Sequence, residues 1–365
     1  MPVVRYRVFR DLDWPMLLVA LAICALGILQ IYSATHGTPR GNAWMKQTVW
    51  LGGGLFLMWL LARVDYHNLL GQVGVLYGTT LGLLILTLVA GSYIWGSKRW
   101  IPLFFGFRFQ PAELGKLVIV LLVARYLSEL RSDRLEGGDL LKLGFLVGIP
   151  AGLVLAEPDL GTTLTYVSIL AIGICFGGVR WQHLLVILLI AVVLLPCGWF
   201  LLKDYQKTRL LTFLDPMRDP TGSGYQVIQS KIAVGAGGMW GKGVARGSQT
   251  QLRFLPVAYT DFVISAFAEE HGFVGILVLF GLYFLLLMQI VQNAQRAPDR
   301  AGMLICMGVS SLLLFHLLVN AGMAVGRMPT TGIPLPLMSY GGSSMMSVFA
   351  MLGLVNNVRL RRFGT

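Results

Sequence analysis

Stretches of about 20 mostly apolar residues recur along this chain and limit what it can fold into. A helix of that length crosses the hydrocarbon core of a bilayer, whereas a membrane β-barrel would show alternating segments of about 10 residues, which this sequence lacks. Of its residues, 56% are hydrophobic and only 13% are charged, against about 25% charged in ordinary soluble domains. The sequence therefore predicts an all-α polytopic membrane protein.

We predict about ten transmembrane helices in a single transmembrane domain that covers residues 1–365. The apolar run after Trp14 follows a basic N-terminus but lacks a clear small-residue cleavage site, so we interpret it as the first span rather than a signal peptide. A long loop of about residues 203–261 separates spans seven and eight. The predicted spans are residues 14–34, 47–63, 70–91, 110–128, 140–157, 160–179, 182–202, 262–292, 302–325 and 338–358.

Lysine and arginine residues orient these spans. With the N-terminus inside, the inner loops and tails hold 14 of the 29 Lys and Arg residues, the short outer segments hold 7, and the long loop holds 8. Cytoplasmic loops normally carry the excess of positive charge. We therefore expect cytoplasmic N- and C-termini and an extracytoplasmic long loop. The four cysteines lie inside apolar runs, which predicts neither a disulfide framework nor a metal-binding cluster.

The largest break in the apolar pattern runs from Gly235 to Gly272 and includes Asp261, just before the eighth span. A carboxylate where a polar loop meets a membrane helix is costly to desolvate, which makes Asp261 a candidate functional residue. It could serve as a general base or ion ligand, or Thr260 or Asp261 could simply cap the helix. Glycines at the start of the break could let backbone N–H groups approach a phosphate; they are Gly235, Gly237, Gly238, Gly241 and Gly243.

Further charged residues lie near the predicted outer ends of the spans. Glu113 and Lys116 are one helical turn apart, so they can pair, and pairing makes a charge inside a membrane tolerable. This is either an internal pair or a cation that Glu113 orients toward an anionic ligand. Glu269, about two turns beyond Asp261, either shapes the site electrostatically or is the buried partner of a cation such as Lys116 or Arg327.

The predicted outer face is basic. Arginine binds phosphate or pyrophosphate bidentately, so this face suits such a ligand; a solvated face or one that binds lipid headgroups is the alternative. Its basic residues include Arg99, Arg108, Lys203, Lys207, Arg209, Arg218, Lys231, Lys242, Arg246 and Arg253.

Two other segments have distinctive patterns. Residues Tyr225–Val234 are predicted to form a short amphipathic helix. Residues Arg327–Ser344 contain three prolines and three glycines, so they need irregular backbone, which near a membrane requires protein or water to satisfy it. Polar residues at midplane depth are few, mainly Gln30, His316 and Asn320, which disfavours a channel or carrier.

The order and spacing of these motifs resemble the SEDS family of bacterial cell-wall polymerases, which includes RodA, FtsW and SpoVE, and the RodA branch most. The similarity covers nearly the whole chain. The motifs are Arg99–Ile101, Gln110–Lys116, Pro158–Thr162, Gly241–Gly243, Phe254–Pro256, Thr260–Phe262, Glu269–Gly272, Gly332–Pro336 and Ser339–Ser344. The chain departs from the family pattern at Ala112, Glu157, Val257 and Tyr259, where Ser, Gln, Glu and His are usual, and at Val263-Ile264.

The resemblance implies a peptidoglycan glycosyltransferase that polymerises lipid II at the outer face of the bacterial inner membrane, for cell elongation and rod shape. The donor sugar is α-linked to undecaprenyl pyrophosphate and the product bond is β-1,4, so a single inverting displacement with one base suffices. Asp261 is the implied base. The implied pyrophosphate-binding residues are Arg99, Arg108, Lys116 and Lys242, with Glu113 orienting Lys116; the implied supporting residues are Asp159, Glu269 and Ser343.

The resemblance also implies partners and leaves two alternatives open. Expected partners are lipid II, undecaprenyl pyrophosphate, membrane lipids, a class B penicillin-binding protein (a transpeptidase) and the elongation machinery, but no nucleic acid. A divalent cation, Mg²⁺ or Mn²⁺, could bridge Asp261 or the pyrophosphate, although no ligand cluster is visible in the sequence. The alternatives are a lipid II flippase and a non-catalytic scaffold that activates a transpeptidase.

Overall fold

The computed structural model describes residues 11–94, 97–102, 108–130, 135–201, 204–219 and 222–362. Its long helices coincide with the ten predicted spans to within a few residues at most ends. The helices are α1 (Trp14–Thr35), α2 (Ala43–Arg63), α3 (Tyr66–Gly71), α4 (Val73–Ala90), α5 (Pro111–Ser128), α6 (Gly137–Ala156), α7 (Leu160–Phe176), α8 (Trp181–Leu201), α9 (Asp204–Leu214), α10 (Ser223–Ala236), α11 (Ser248–Gln251), α12 (Val263–Gln295), α13 (Arg300–Ala324) and α14 (Gly342–Arg361). Lys203 and the basic residues of the N-terminus (Arg5, Arg7, Arg10) lie outside the described residues.

The helices have the character of membrane spans. Within the described ranges, α1, α4, α6, α12 and α13 are long and apolar enough to cross a membrane, with mean hydropathy of 1.8 to 2.6 over their most apolar windows. Large apolar side chains such as Val89 and Phe145 are exposed on the outside of the bundle, where lipid tails would cover them. The predicted all-α polytopic membrane fold is confirmed; the number of spans and their orientation stay predictions.

Helices α5 and α14 form the centre of the bundle. Nearly all their residues are buried, including the apolar run Leu117–Ala124 of α5, and a helix that is apolar on every side is one that other helices surround. Helix α14 packs closely along α2. A Cβ atom at Gly353 of α14 would lie 2.8 Å from the carbonyl oxygen of Met58, so glycine permits this approach.

The segments between spans contain more secondary structure than the sequence predicted. The amphipathic helix expected at Tyr225–Val234 is present as α10. The long loop also contains α9, a 3₁₀ turn at Pro216–Arg218 and α11. A small antiparallel sheet, β1 (Ser92–Ile94), β2 (Ser97–Pro102) and β3 (Arg108–Phe109), was not predicted and lies between α4 and α5.

Helix α12 is broken at Gly272, whose backbone has φ 66° and ψ −166°. A break frees carbonyl groups that the helix would otherwise use, and buried carbonyls need donors. The carbonyl of Glu269 accepts from the backbone N–H of Lys242 at 3.0 Å, and the carbonyl of Glu270 accepts from that of Gly243 at 2.9 Å. The glycine-rich stretch therefore closes the N-terminal side of the break.

The same stretch closes the other side. The N–H of Phe273 donates to the carbonyl of Gly238 at 2.9 Å, and the N–H of Val274 donates to that of Met239 at 3.1 Å. We call residues 237–243 the glycine splint. The backbone N–H groups of Lys242 and Gly243 donate to helix carbonyls, so Gly243, one of the five glycines expected to allow approach to a phosphate, does not offer its own N–H group.

Close approach requires the glycines of the splint. Gly241 has φ +77°, which L side chains rarely adopt. A Cβ atom there would lie 2.2 Å from the carbonyl oxygen of Glu270, and one at Gly237 would lie 2.0 Å from that of Ala268. Backbone atoms cannot yield to such contacts, so the splint can form only with glycine at these positions.

We predict that Gly241→Ala lowers stability by about 2–4 kcal/mol, because it adds both backbone strain and a clash with the chain of α12. The matched control is Gly235→Ala: Gly235 lies within α10 and has open space around its Cβ direction, so alanine should be neutral or stabilising by up to about 1 kcal/mol. Thermal unfolding of the purified protein in detergent compares the two. Equal midpoints would contradict the role of the splint.

Candidate active site

Asp261 lies in the turn that precedes α12. The N-cap of that helix is Phe262, and no side chain caps it, so the interpretation of Thr260 or Asp261 as a capping residue is wrong. The turn is held by its backbone instead. The side-chain amide of Asn320 donates to the carbonyl of Asp261 at 2.9 Å, and the Ser339 hydroxyl donates to the carbonyl of Thr260 at 2.6 Å.

The residues that hold this turn connect it to the irregular segment 325–341, between α13 and α14. Asn320 also donates to the carbonyl of Ile333 at 2.8 Å, and Nδ1 of His316 lies 3.2 Å from the carbonyl oxygen of Pro334. Tyr283 donates its hydroxyl to the carbonyl of Pro336. These side chains provide donors that irregular backbone needs inside a helix bundle. His316 and Asn320 therefore position a loop, which explains two of the three polar residues noted at midplane depth.

The Asp261 carboxylate lies near the backbone of the irregular segment and within electrostatic range of charged side chains. Its Oδ2 lies 3.7 Å from the Cβ position of Gly332 in the irregular segment. Burial raises the pKa of Asp261, while the Arg209 guanidinium and a hydrogen bond from Thr260 lower it, and the net direction is upward. Asp159 and Arg99 are also close enough to act on it electrostatically. A carboxylate with a raised pKa is a stronger base than a free one, which suits proton transfer near neutral pH.

Arg99 and Asp159 lie together at the turn between α6 and α7. Arg99 donates through Nε to the carbonyl of Glu157 at 3.0 Å and also donates to the carbonyl of Pro158, and its Nη1 lies 3.6 Å from Oδ2 of Asp159. Asp159 caps α7 through Thr162 and accepts from the amide of Gln110 at 3.1 Å. Asp159 therefore fixes both the start of α7 and the position of Arg99, and its supporting role in the reaction stays a prediction.

Glu113 and Lys116 form the expected pair. Lys116 Nζ lies 2.6 Å from Oε1 of Glu113, and their side chains are only 2% and 6% exposed. The second carboxylate oxygen of Glu113 is buried without a hydrogen-bond partner in the described parts of the chain. Pairing explains how these two opposite charges can lie inside the bundle. Ligand binding by Lys116 stays a prediction.

Glu269 and Lys242 bind each other. Lys242 Nζ lies 3.0 Å from Oε1 of Glu269, which is fully buried. The same carboxylate accepts from the backbone N–H groups of Gln249 at 2.8 Å and Thr250 at 3.1 Å. The cation bound by Glu269 is therefore Lys242, rather than Lys116 or Arg327, the two examples that the sequence suggested. Glu269 joins α12 to α11.

Ser343 and Arg108 meet where α14 begins. The Ser343 hydroxyl donates to the backbone carbonyl of Arg108 at 2.9 Å and accepts from the N–H of Gln110 at 3.2 Å. The side chain of Arg108 is exposed. Ser343 thus supports the segment that carries Arg108, while the arginine side chain reaches the surface.

A family profile described as "Cell cycle protein", FTSW_RODA_SPOVE, matches residues 13–362. The chain belongs to the FtsW/RodA/SpoVE family. It is 37% identical over 355 residues to the peptidoglycan glycosyltransferase MrdB of Escherichia coli K12, covering 96% of this chain and 94% of that protein. It is 32% identical over 433 residues to the peptidoglycan glycosyltransferase RodA of Treponema pallidum, covering 98% and 100%.

Solved structures of the family share the fold. RodA of Thermus thermophilus aligns with a TM-score of 0.72 and 32% identity, covering 96% of this chain and 98% of that one. A chain in a structure described as "Structural coordination of polymerization and crosslinking by a peptidoglycan synthase complex" aligns with a TM-score of 0.84 and 38% identity, covering 97% and 99%. The predicted family, and the similarity to RodA within it, are confirmed.

Tyr259, one of the departures from the family pattern that the sequence indicated, has structural partners here. The Tyr259 hydroxyl accepts from the guanidinium of Arg40, and its ring lies 5.8 Å from that of Tyr340. The carbonyl of Tyr259 accepts from the N–H of Tyr340 at 2.9 Å. Val257 has φ +54°, a costly conformation for a β-branched residue. Tyr259 therefore attaches the Asp261 turn to the α1–α2 connection and to the start of α14.

Sequence reasoning placed Arg209 only within a diffuse basic surface and gave it no specific role. The structure puts it on α9, where its Nη1 donates to the carbonyl of Thr330 at 3.0 Å and its charge acts on Asp261. It also lines a narrow pocket with Pro158 and Thr331. A helical pattern in residues 204–214, inside the stretch predicted to be a loop, is the sequence signal that points to an ordered position for Arg209.

We predict that Glu113→Leu alone lowers stability by about 3–5 kcal/mol, because it leaves the Lys116 charge buried without its partner. The double variant Glu113→Leu/Lys116→Met removes both charges and should recover most of that loss. The measurement is a double-mutant cycle. It compares the thermal unfolding midpoints, in detergent, of the wild type, Glu113→Leu, Lys116→Met and the double variant. A double variant as unstable as the sum of the singles would contradict the pairing.

Proposed function

We propose that this chain is a peptidoglycan glycosyltransferase that polymerises lipid II into glycan strands at the outer face of the bacterial inner membrane. The curated relatives that it resembles along nearly their whole length carry that activity in their names. The observation that carries the proposal is the carboxyl group of Asp261, held by its backbone within electrostatic range of the cations Arg209 and Arg99.

The proposed reaction is one displacement at the anomeric carbon of the donor. The 4-hydroxyl oxygen of the acceptor sugar forms the new bond to that carbon as the bond to the pyrophosphate oxygen breaks, which inverts the α linkage to β. Asp261 takes the hydroxyl proton, and undecaprenyl pyrophosphate leaves with the electron pair. No covalent intermediate is needed, so one base suffices. The raised pKa of Asp261 fits this role, since it brings the group nearer to the working pH.

Negative charge grows on the leaving pyrophosphate, and cations near Asp261 would stabilise it. Arg99 and Arg209 are the best placed, because both act electrostatically on Asp261 itself. Lys116 remains a candidate whose buried pairing with Glu113 would keep its charge in the bundle until the donor binds. Lys242 is bound to Glu269, so we propose a structural role for it ahead of a direct contact with pyrophosphate.

A divalent cation would take most of its ligands from the substrate. Among the described residues, no group of three or more His, Cys, Asp or Glu side chains is arranged to hold a metal ion. Mg²⁺ and Mn²⁺ bind readily to one or two carboxylates together with phosphate oxygens. We therefore propose that any such ion enters bound to the pyrophosphate, whose oxygens would be its main ligands.

The proposed partner is a class B penicillin-binding protein within the elongation machinery. The aligned structure of a peptidoglycan synthase complex concerns polymerisation and crosslinking together. Within the described residues of this chain, the structured parts are membrane helices and the segments that join them. Crosslinking would thus come from the partner.

We predict that Asp261→Asn abolishes glycan strands, because the amide cannot accept the hydroxyl proton; a loss of at least about 100-fold is expected for a general base. The measurement is polymerisation of purified lipid II by the complex with the transpeptidase, with strands resolved by gel. Asp215→Asn is the matched control, since Asp215 is an exposed carboxylate of the same loop that caps only the Pro216–Arg218 turn.

The outcome also separates the alternatives. A flippase or a scaffold would leave strand synthesis unaffected by Asp261→Asn, whereas the proposal requires its loss while complex formation persists. Strands of wild-type length from Asp261→Asn would remove Asp261 as the base.

A further inference from the structure

Glu157 is a buried carboxyl group beside the candidate site whose chemistry the proposed reaction does not use. It lies in the turn just beyond α6 and is 1% exposed. Its Oε1 contacts the hydroxyl of Thr87 on α4, and its Oε2 is buried without a hydrogen-bond partner among the described residues. A buried carboxylate left so poorly solvated is costly.

The hydrogen count at Thr87 favours the neutral acid. The Thr87 hydroxyl has only one hydrogen to donate. Its oxygen lies 2.8 Å from the carbonyl oxygen of Leu84 and also contacts Oε1 of Glu157. If that hydrogen goes to Leu84, the contact with Glu157 needs a hydrogen from the carboxyl group. A protonated Glu157 supplies it: Oε1 then donates to Thr87, Thr87 donates to Leu84, and Oε2 is a neutral carbonyl oxygen rather than part of a buried anion.

The charged and titratable groups described around Glu157 come from three elements. Arg99 on β2 donates to the backbone carbonyl of Glu157, Asp159 lies two residues further along the turn, and Tyr166 on α7 is within electrostatic range. Burial and the charge of Asp159 raise the pKa of Glu157, the Thr87 hydrogen bond and Arg99 lower it, and the net value is about 7. The group therefore changes charge near neutral pH.

We infer that Glu157 is a positioning residue whose neutral form leaves the Arg99–Asp159 pair able to accept the donor pyrophosphate, and whose ionisation weakens donor binding. With Glu157 neutral, the charges of Arg99 and Asp159 cancel. With Glu157 ionised, the three groups sum to one negative charge, which repels a pyrophosphate. This inference rests on the proposed function, because it takes its ligand from there.

The sign of the pH dependence follows. Below the pH at which half of the Glu157 groups are ionised, Glu157 is neutral and donor binding is strong. Above that pH the added negative charge raises KM for lipid II. The effect is reciprocal, since a bound pyrophosphate must oppose the ionisation of Glu157 by the same factor. Loss of activity at low pH has a different cause, namely protonation of Asp261, and it should appear in kcat. The effect at high pH therefore appears in KM and the effect at low pH in kcat, so the two can be measured separately.

The test is the KM for lipid II between about pH 6 and about pH 8.5, on either side of the midpoint, in wild type and Glu157→Gln. Glutamine keeps the shape of the neutral acid and cannot ionise. Wild type should show a rise in KM on the order of tenfold across this range, and Glu157→Gln should show none. Glu129→Gln, which alters an exposed carboxyl paired with Arg125, is the matched control and should follow the wild type.

A second measurement does not depend on activity. The infrared difference spectrum between the two pH values should contain the carbonyl band of a titrating carboxylic acid in wild type and lack it in Glu157→Gln. A KM profile in Glu157→Gln that matches wild type, or an unchanged infrared band, would overturn the inference. Absence of glycan strands from wild type at every pH would instead refute the proposed function, and the infrared result would still decide the state of Glu157.

Discussion

Non-helical backbone inside a helix bundle must find its hydrogen bonds within the protein, and this requirement organises the structure around Asp261. The side-chain amide of Asn320 meets it most directly, because one group donates to the carbonyls of both Asp261 and Ile333. The same requirement explains the glycine splint, which completes the broken helix α12. The turn that carries the carboxylate is thus fixed through its backbone carbonyls, and catalysis by one base depends on such placement.

Asp261 differs from three other carboxylates of the described residues. Glu113 has Lys116, Glu269 has Lys242 and two backbone N–H groups, and Asp159 has Arg99 and caps α7. Each of those carboxylates is engaged by a cation or a helix end. Asp261 is influenced by Arg209, yet burial still dominates its pKa, which remains raised. The raised pKa that Asp261 keeps suits this group to take a proton.

The sequence predicted what depends on local pattern and missed what depends on long-range contact. Apolar runs located the long helices, and the i, i+3 spacing located the Glu113–Lys116 pair, because both are properties of neighbouring residues. Lys242 and Glu269 are far apart in sequence, so their pairing required the fold. The same holds for the splint: the glycines indicated close backbone approach, but the partner that Gly237 and Gly241 approach, a helix rather than a phosphate, emerged only with the break at Gly272.

The central claim is that the acceptor sugar meets the Asp261 carboxyl group, and a structure of the lipid II-bound complex tests it most directly. Asp261→Asn would be used to trap the substrates before reaction. The account predicts the acceptor 4-hydroxyl oxygen within hydrogen-bond distance of the side chain at position 261, and the donor pyrophosphate against Arg99 and Arg209. An acceptor hydroxyl that instead meets a different carboxyl group, with position 261 facing no substrate, would contradict it.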